Sequence, residues 1–344
     1  MRIHRGFHRS PGSGCAVTPA VGVAGCAVTS AVGVAGCAVT IGNFDGVHRG
    51  HQAMLALLTN EARHRGLPAC VMTFEPHPRD HFARKVGKPD SAPARIATLR
   101  DKLCELERCG VDEVVVLPFN DRLAAMPPQA FITDVLQHGL GARYVLVGDD
   151  FSFGARRAGN YAMLDAAGAA AGFDVARMLS YEVHGLRVSS SAVREALAGG
   201  DMKGAEALLG RPYSISGHVV HGRKLGRDLG FRTLNLRFGH PRPAASGIFV
   251  VQVHGLTALP VPGVASLGVR PSVEDAGRVL LEVHCLQWPA ELSAEGGYGR
   301  LLRVDLMHKL HDELKYPSLD ALREGIARDT EDAQRWFAAR PRVS

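Results

Sequence analysis

A chain of 344 residues with 46% hydrophobic and 22% charged side chains has the composition of an ordinary globular protein and the length of two domains. Its 40 Lys and Arg against 34 Asp and Glu leave +6, a mild basic excess that suits anionic small ligands; at 6% aromatic residues, with no Lys/Arg stripe among them, it lacks the stacking platforms of a single-strand nucleic-acid binder. Seven cysteines, an odd number with no Cys-x-x-Cys spacing, fit the reduced thiols of a cytoplasmic protein and argue against a disulfide framework or a structural zinc.

Residues 1–9 are basic and 10–42 carry no charge, a superficial likeness to a signal peptide or membrane span. The stretch is a tandem repeat instead: GCAVTPAVGVA at 14–24, GCAVTSAVGVA at 25–35 and GCAVT once more at 36–40. Val and Ala diluted with Gly, Thr and Pro19, without one leucine, would insert weakly, so duplication of a strand-entry segment is the preferred reading and no membrane partner is expected. Only the third copy runs on into the next element and need be a buried strand. Residues 1–35 are expected to be irregular, with the first two copies able to compete for that strand's slot by register slip.

The third copy continues as Ile41-Gly42-Asn43-Phe44-Asp45-Gly46-Val47-His48-Arg49-Gly50-His51, an apolar strand that breaks into a glycine-rich turn and opens a helix. Glycines there let backbone approach a phosphate, and a helix start offers unpaired N–H groups and the positive end of its dipole. His48 and His51 add donors on one face of the first turn. A His pair at this spacing is more often surface or core than catalytic; joined to strand, turn and helix start, it reads as a nucleoside-triphosphate site.

From residue 36 onward, β-rich runs at 37–42, 69–74, 113–119, 144–148 and 174–181 alternate with helical patterns at 51–64, 97–109, 128–140 and 161–171. This order predicts an α/β doubly wound parallel sheet with helices on both faces and its ligand beyond the carboxyl ends of the strands. Short helices at 189–197 and 202–209 close the first half. After Gly210-Arg211-Pro212, alternating runs at 213–220, 232–238, 247–254, 279–286 and 301–308 predict a small antiparallel β-barrel. A final helix starts near Ser318, with Leu319, Leu322, Ile326, Ala333 and Phe337 as the stripe that packs on it.

Three loops sharpen the phosphate reading. Phe74-Glu75-Pro76-His77-Pro78 follows the second predicted strand of this sheet, where His77 could reach a ligand or simply sit in a proline-rigidified turn. Gly148-Asp149-Asp150-Phe151-Ser152-Phe153-Gly154 puts Asp150 near the same rim, although paired aspartates are commonly a solvated loop. Ser189-Ser190-Ser191-Ala192-Val193-Arg194 joins hydroxyls at a helix start to an arginine one turn on, a set suited to phosphate oxygens unless the serines only cap.

Taken in order, GNFDGVHRGH, FEPHP, GDDFSFG and SSSAVR resemble the adenylyltransferase half of the prokaryotic bifunctional riboflavin kinase/FAD synthetase family. GHVVHG at 217–222, GRDLGFRTLN at 226–235, GVASLGVRP at 263–271, LEVH at 281–284 and DELKY at 312–316 resemble its flavokinase half. Four positions depart from the family pattern: Arg232 and Leu234 stand where proline and alanine are usual, Ser266 where asparagine is common, and His311 where arginine is frequent. The repeats ahead of the first strand are a further departure.

The resemblance implies an FMN adenylyltransferase domain over 36–186, a helical closing segment over 187–210 and a riboflavin kinase barrel over 211–340. It implies two Mg²⁺·ATP-dependent steps with riboflavin, FMN and FAD as substrates and products: riboflavin to FMN in the second half, FMN to FAD with release of pyrophosphate in the first. Glu282 is then the base, Thr233 and Asn235 the oxygen ligands of Mg²⁺, and Gly222, Gly226 and Gly230 the slim loop over phosphate. On the residues alone, Glu282 reads equally as a barrel glutamate facing water between two core residues. The adenylyl site is expected from Gly42, Asn43, Phe44, Asp45, Gly46, His48, Gly50, His51, His77, Asp150, Ser189, Ser190 and Arg194. No nucleic-acid partner is expected, a homo-oligomer is left open, and a lone nucleotidylyltransferase with a non-catalytic barrel remains the nearest competing reading.

Overall fold

The computed structural model describes residues 1–10, 13–19, 36–179, 181–183, 186–221, 231–239, 242–269, 279–290, 292–293 and 297–340. It divides into two compact units: Met1–Pro93 with Lys102–Val188, and Ala94–Asp101 with Ser189–Ser344.

The first unit is built on strands β1 (Arg2–Ser10), β2 (Ser13–Pro19), β3 (Cys37–Ile41), β4 (Ala69–Phe74), β5 (Glu113–Leu117), β6 (Ala142–Gly148) and β7 (Asp174–Met178). Among the described residues they form one sheet in the order β2-β1-β5-β4-β3-β6-β7, parallel apart from the antiparallel β1–β2 pair. Helices α1 (Arg49–His64), α2 (Pro78–Lys85), α3 (Leu99–Arg108), α4 (Asp121–Ala124), α5 (Pro128–Ala130, running on as a π-helical stretch Phe131–Gln137) and α6 (Tyr161–Ala171) connect them. All five side chains of β3 are buried, as parallel strands covered on both faces require.

The irregular N-terminus expected over 1–35 gives way, where described, to two strands. β1 lies parallel to β5, pairing Arg2 with Glu113 through Arg5 with Val116. It docks because Ile3 is buried and because Arg2 and the buried His4 flank the Glu113 carboxylate, the His4 ring at 3.6 Å. The His4 imidazole holds that carboxyl below its ordinary value against the opposing effect of burial, and Arg2 adds to it. β2 takes in residues 14–19 of the first repeat copy; 20–35 lie outside the described residues. β7 stops at Met178, short of the residue 181 expected for the last strand, and two short antiparallel strands follow it, β8 (Glu182–Val183) and β9 (Leu186–Arg187).

In the second unit α7 (Ser190–Gly199) and α8 (Met202–Leu209) precede β10 (Tyr213–Val220), β11 (Thr233–Arg237), β12 (Gly247–His254), β13 (Val261–Val269), β14 (Val279–Cys285) and β15 (Leu301–His311). The strands close a barrel in the order β10-β11-β14-β13-β12-β15. β13 is absent from the sequence expectation because Pro262, Gly263 and Gly268 break its alternation. Leu234, Leu236, Phe249, Val251, Ala265, Leu267, Leu281 and Val283 fill the interior, joined by Val193 and Leu197 of α7. The serine-capped C-terminal helix α9 (Leu319–Ala338) packs through Ala333, Trp336 and Phe337 against Val250 and Val264. Leu319, expected in its stripe, is exposed; the buried positions are Gly325, Asp329 and Ala333, one helical turn apart.

Candidate active sites

β3 and β6 are neighbours, yet the chain leaves β3 toward β4 on one side and β6 toward β7 on the other. Their carboxyl ends are therefore the switch point at which open α/β sheets bind ligands. The 42–51 turn leaves one strand there and the Gly148 loop leaves the other.

The turn is wound tightly. Gly42 N–H donates to the Met72 carbonyl at 3.0 Å, and a Cβ on Gly42 would lie 3.0 Å from the Phe44 ring. Phe44 (φ 48°) and Val47 (φ 41°) both occupy the left-handed region, and both are buried, at 1% and 0% exposure. For L-residues, above all a β-branched one, that costs on the order of 1–2 kcal/mol each and marks a backbone held for function. Asp45 is buried, and Asn43 Oδ1 is buried with no hydrogen-bond partner.

His48 caps α1: its Nδ1 accepts the His51 N–H at 3.3 Å, which leaves its ring proton on Nε2 as a donor. The two imidazoles stack at 3.6 Å, and Phe44 tilts against His51 at 5.0 Å. Burial, then the charges of His48 and Lys102, hold His51 well below the ordinary imidazole value, so it is neutral without ligand. A Cβ on Gly50 would meet the His48 ring at 3.3 Å and the Val188 carbonyl at 3.4 Å. His77 is buried and caps α2, its Nδ1 accepting from Arg79 N–H at 3.1 Å, so its Nε2 also carries a proton. Asp150 is exposed, its Oδ1 within 3.5 Å of a Cβ built on Gly148.

Ser189, Ser190 and Arg194 belong to the second unit. Ser189 Oγ caps α7 by accepting from Ala192 N–H at 3.2 Å, and Arg194 Nε donates to the Ala94 carbonyl at 2.6 Å. The sequence reading missed Lys102, which is fully buried on α3, its Nζ donating to Thr73 Oγ1 at 3.4 Å. Its signal was a lysine at a buried position of the stripe Leu99, Lys102, Leu103, Leu106. Arg156 (φ 54°) and Arg157 (φ 57°), in the loop after β6, were also passed over.

On the barrel, strand alternation sends Leu234 and Leu236 inward and Thr233 and Asn235 to the other face. Glu282 pairs in register with Asn235 on one side and with Ser266 on the other, while Thr233 pairs with His284. Glu282 is half-buried between interior Leu281 and Val283. Asn235 Oδ1 is buried and has no hydrogen-bond partner. A buried oxygen with nothing to accept from, two residues from a second oxygen and beside a carboxylate, is the donor chemistry of Mg²⁺. The residues fit the cation. Gly222, Gly226 and Gly230 lie outside the described residues.

The departing residues have local partners. Arg232 lies 5.7 Å over the Trp288 ring, Leu234 fills the barrel interior, and Ser266 Oγ donates to Glu313 Oε1 at 3.0 Å. His311 hydrogen-bonds the Asp329 carboxylate through Nε2 at 2.8 Å and the Asp312 carbonyl through Nδ1 at 2.7 Å. Burial opposes its charge, but the Asp329 bond and then the Asp312 carbonyl carry its pKa above the ordinary imidazole value.

Residues 33–192 match the FAD synthetase family model and residues 209–337 the riboflavin kinase model. The bifunctional riboflavin kinase/FMN adenylyltransferase of Escherichia coli K12 is 46% identical over 340 residues, covering 98% of each chain. The chain belongs to this bifunctional family. A relative of the same name from Pseudomonas fluorescens is 44% identical over 86% of this chain and 91% of its own. Among solved structures, one titled a macrolide-efflux protein from Streptococcus pneumoniae superposes with a TM-score of 0.70 at 27% identity, over 89% of this chain and 96% of that one. The first half is thus an FAD synthetase domain and the second a riboflavin kinase domain, acting on ATP, riboflavin and FMN. Among the described residues, no helix is long and apolar enough to cross a membrane.

Proposed function

We propose that the two transfers take place at two separate ATP sites, one at the 42–51 turn and one on the outward side of β11 and β14. One observation supports the division: at residues the sequence singles out, each half buries polar atoms that no protein group satisfies, Asn43 Oδ1 and His51 Nδ1 in one, Asn235 Oδ1 in the other.

On the barrel the nucleophile is a neutral ribityl hydroxyl. Glu282 accepts its proton as the oxygen bonds to the γ-phosphorus and the bond to ADP breaks. Thr233 and Asn235 would hold Mg²⁺, which supplies charge neutralisation across the ATP phosphates when bound. At the turn the nucleophile is the FMN phosphate, already anionic, so no strong base is called for. Its oxygen bonds to the α-phosphorus of ATP while the bond to pyrophosphate breaks, and catalysis is positioning plus charge stabilisation. His48 donates from Nε2 beside the stacked His51 ring, and His77 and Asp150 are assigned to the same site. Gly42, Asn43, Phe44, Asp45, Gly46 and Gly50 shape the cradle. The protein works in the cytoplasm and uses no nucleic acid.

Calorimetry with a non-hydrolysable ATP analogue and Mg²⁺, in the presence of FMN, tests this reading. Two nucleotides per chain are expected; a stoichiometry of one overturns it.

A further inference from the structure

Lys102 has no part in either transfer as described above, yet its side chain is fully buried, where lysine is almost never found unless its charge is partnered. Removing an ammonium from water costs several kcal/mol even after relaxation, so a fold that keeps one inside must use its charge or its hydrogen bonds. One line of bonds leads to the turn. Lys102 Nζ donates to Thr73 Oγ1 at 3.4 Å, and the Thr73 hydroxyl in turn donates to the backbone carbonyl of Asn43 at 3.2 Å. Thr73 sits near the carboxyl end of β4, itself fully buried, and Asn43 is the residue from which the strained segment containing Phe44 and Val47 begins. A charged donor polarises the hydroxyl it bonds, which strengthens that hydroxyl as a donor to the next oxygen. The lysine therefore braces the turn by way of Thr73. It is also near enough to His51 for its charge to disfavour a proton on that ring.

We propose that Lys102 is a positioning residue for adenylyl transfer, its buried ammonium bracing the 42–47 turn through Thr73 and setting a fixed positive charge where the nucleotide triphosphate is received. This rests on the assignment of the turn to that transfer. An ammonium would do both jobs; a neutral side chain of the same length would fill the space and do neither. Because the charge is felt by the nucleotide rather than by the flavin ring, its loss acts on ATP more than on FMN.

The test is Lys102→Met in the intact bifunctional chain, with riboflavin kinase activity measured on the same sample as the check on folding. The expected result is a KM for ATP in FAD formation raised tenfold or more, a smaller change in KM for FMN, and kinase kcat and KM for ATP within twofold of wild type. A folded Lys102→Met with its KM for ATP in FAD formation within twofold overturns the proposal. If Lys102→Met loses both activities, Thr73→Val and Thr73→Ser decide. Thr73→Val, which keeps the charge and removes the link, should raise KM for ATP at least threefold, and Thr73→Ser should restore at least half of the lost kcat/KM. A Thr73→Val variant indistinguishable from wild type overturns the bracing role. If wild-type chain makes FAD but His48 and His51 variants make it equally well, it is the assignment of the turn that fails, whatever Lys102 does.

Discussion

At the 42–51 turn, the groups proposed to face ATP are imidazoles and backbone, held in place by two left-handed residues and a helix start that leave little room for adjustment. On the barrel they are side-chain oxygens of Thr233, Asn235 and Glu282, arranged by nothing more unusual than β-alternation and register. The difference follows from the nucleophile. An FMN phosphate brings its own negative charge, so that site spends conformational strain on positioning. A ribityl hydroxyl must lose a proton, so the other site needs a carboxylate and tolerates an ordinary backbone.

Crossed substitutions break the comparison most sharply. Glu282→Ala is expected to slow FMN formation by about 10³-fold, in the range for a lost general base, while FAD formation from supplied FMN is retained. His51→Ala is expected to do the reverse, by about 10²-fold for a lost electrostatic contact. Chromatography of the flavins reads both, and loss of both activities in both folded variants would mean the sites are not separable.

Gly50→Ala sharpens the claim about strain. Its methyl group would sit 3.3 Å from the His48 ring and displace it by a few tenths of an ångström. FAD formation should fall roughly tenfold, as misplacements short of 1 Å do, with kinase kinetics unchanged; steady-state rates for each half decide it.

The smallest effect concerns stability away from either transfer. His311, whose folded pKa is raised, contributes fully at pH below its unfolded value of 6.5 and loses that contribution as pH rises through the folded value. The melting temperature of wild type should exceed that of His311→Gln by roughly 1–2 °C near pH 6, a solvent-screened pair being worth little, and the gap should close in alkaline buffer. A gap that widens with pH would show that the Asp329 pair does not stabilise the charged ring.

Much of this division was legible before any coordinates. Strand, glycine turn and His pair are contiguous, so local chemistry exposes the turn proposed for adenylyl transfer, and hydrophobic alternation exposes five of the barrel strands. Asn235 and Glu282 meet through register across β11 and β14, and no local signal states which residues of two strands lie opposite each other. Lys102 escapes for a related reason: its place on the apolar stripe of α3 only hints at burial, since a lysine stem can cover such a stripe with its ammonium in water, and packing alone shows that water is excluded from it.

The repeats make the limit plain. GCAVT at 14–18 and GCAVT at 36–40 are the same five residues, and Cys-Ala-Val-Thr is strand in both places, where Val and Thr favour extended backbone. One is an outer strand lying antiparallel to β1; the other is the buried centre of the parallel sheet, between β4 and β6. Strand formation is a property of the pentapeptide. Which copy becomes the centre depends on long-range partners, and the copy joined to the glycine turn and α1 is the one whose helix can return across the sheet and cover it.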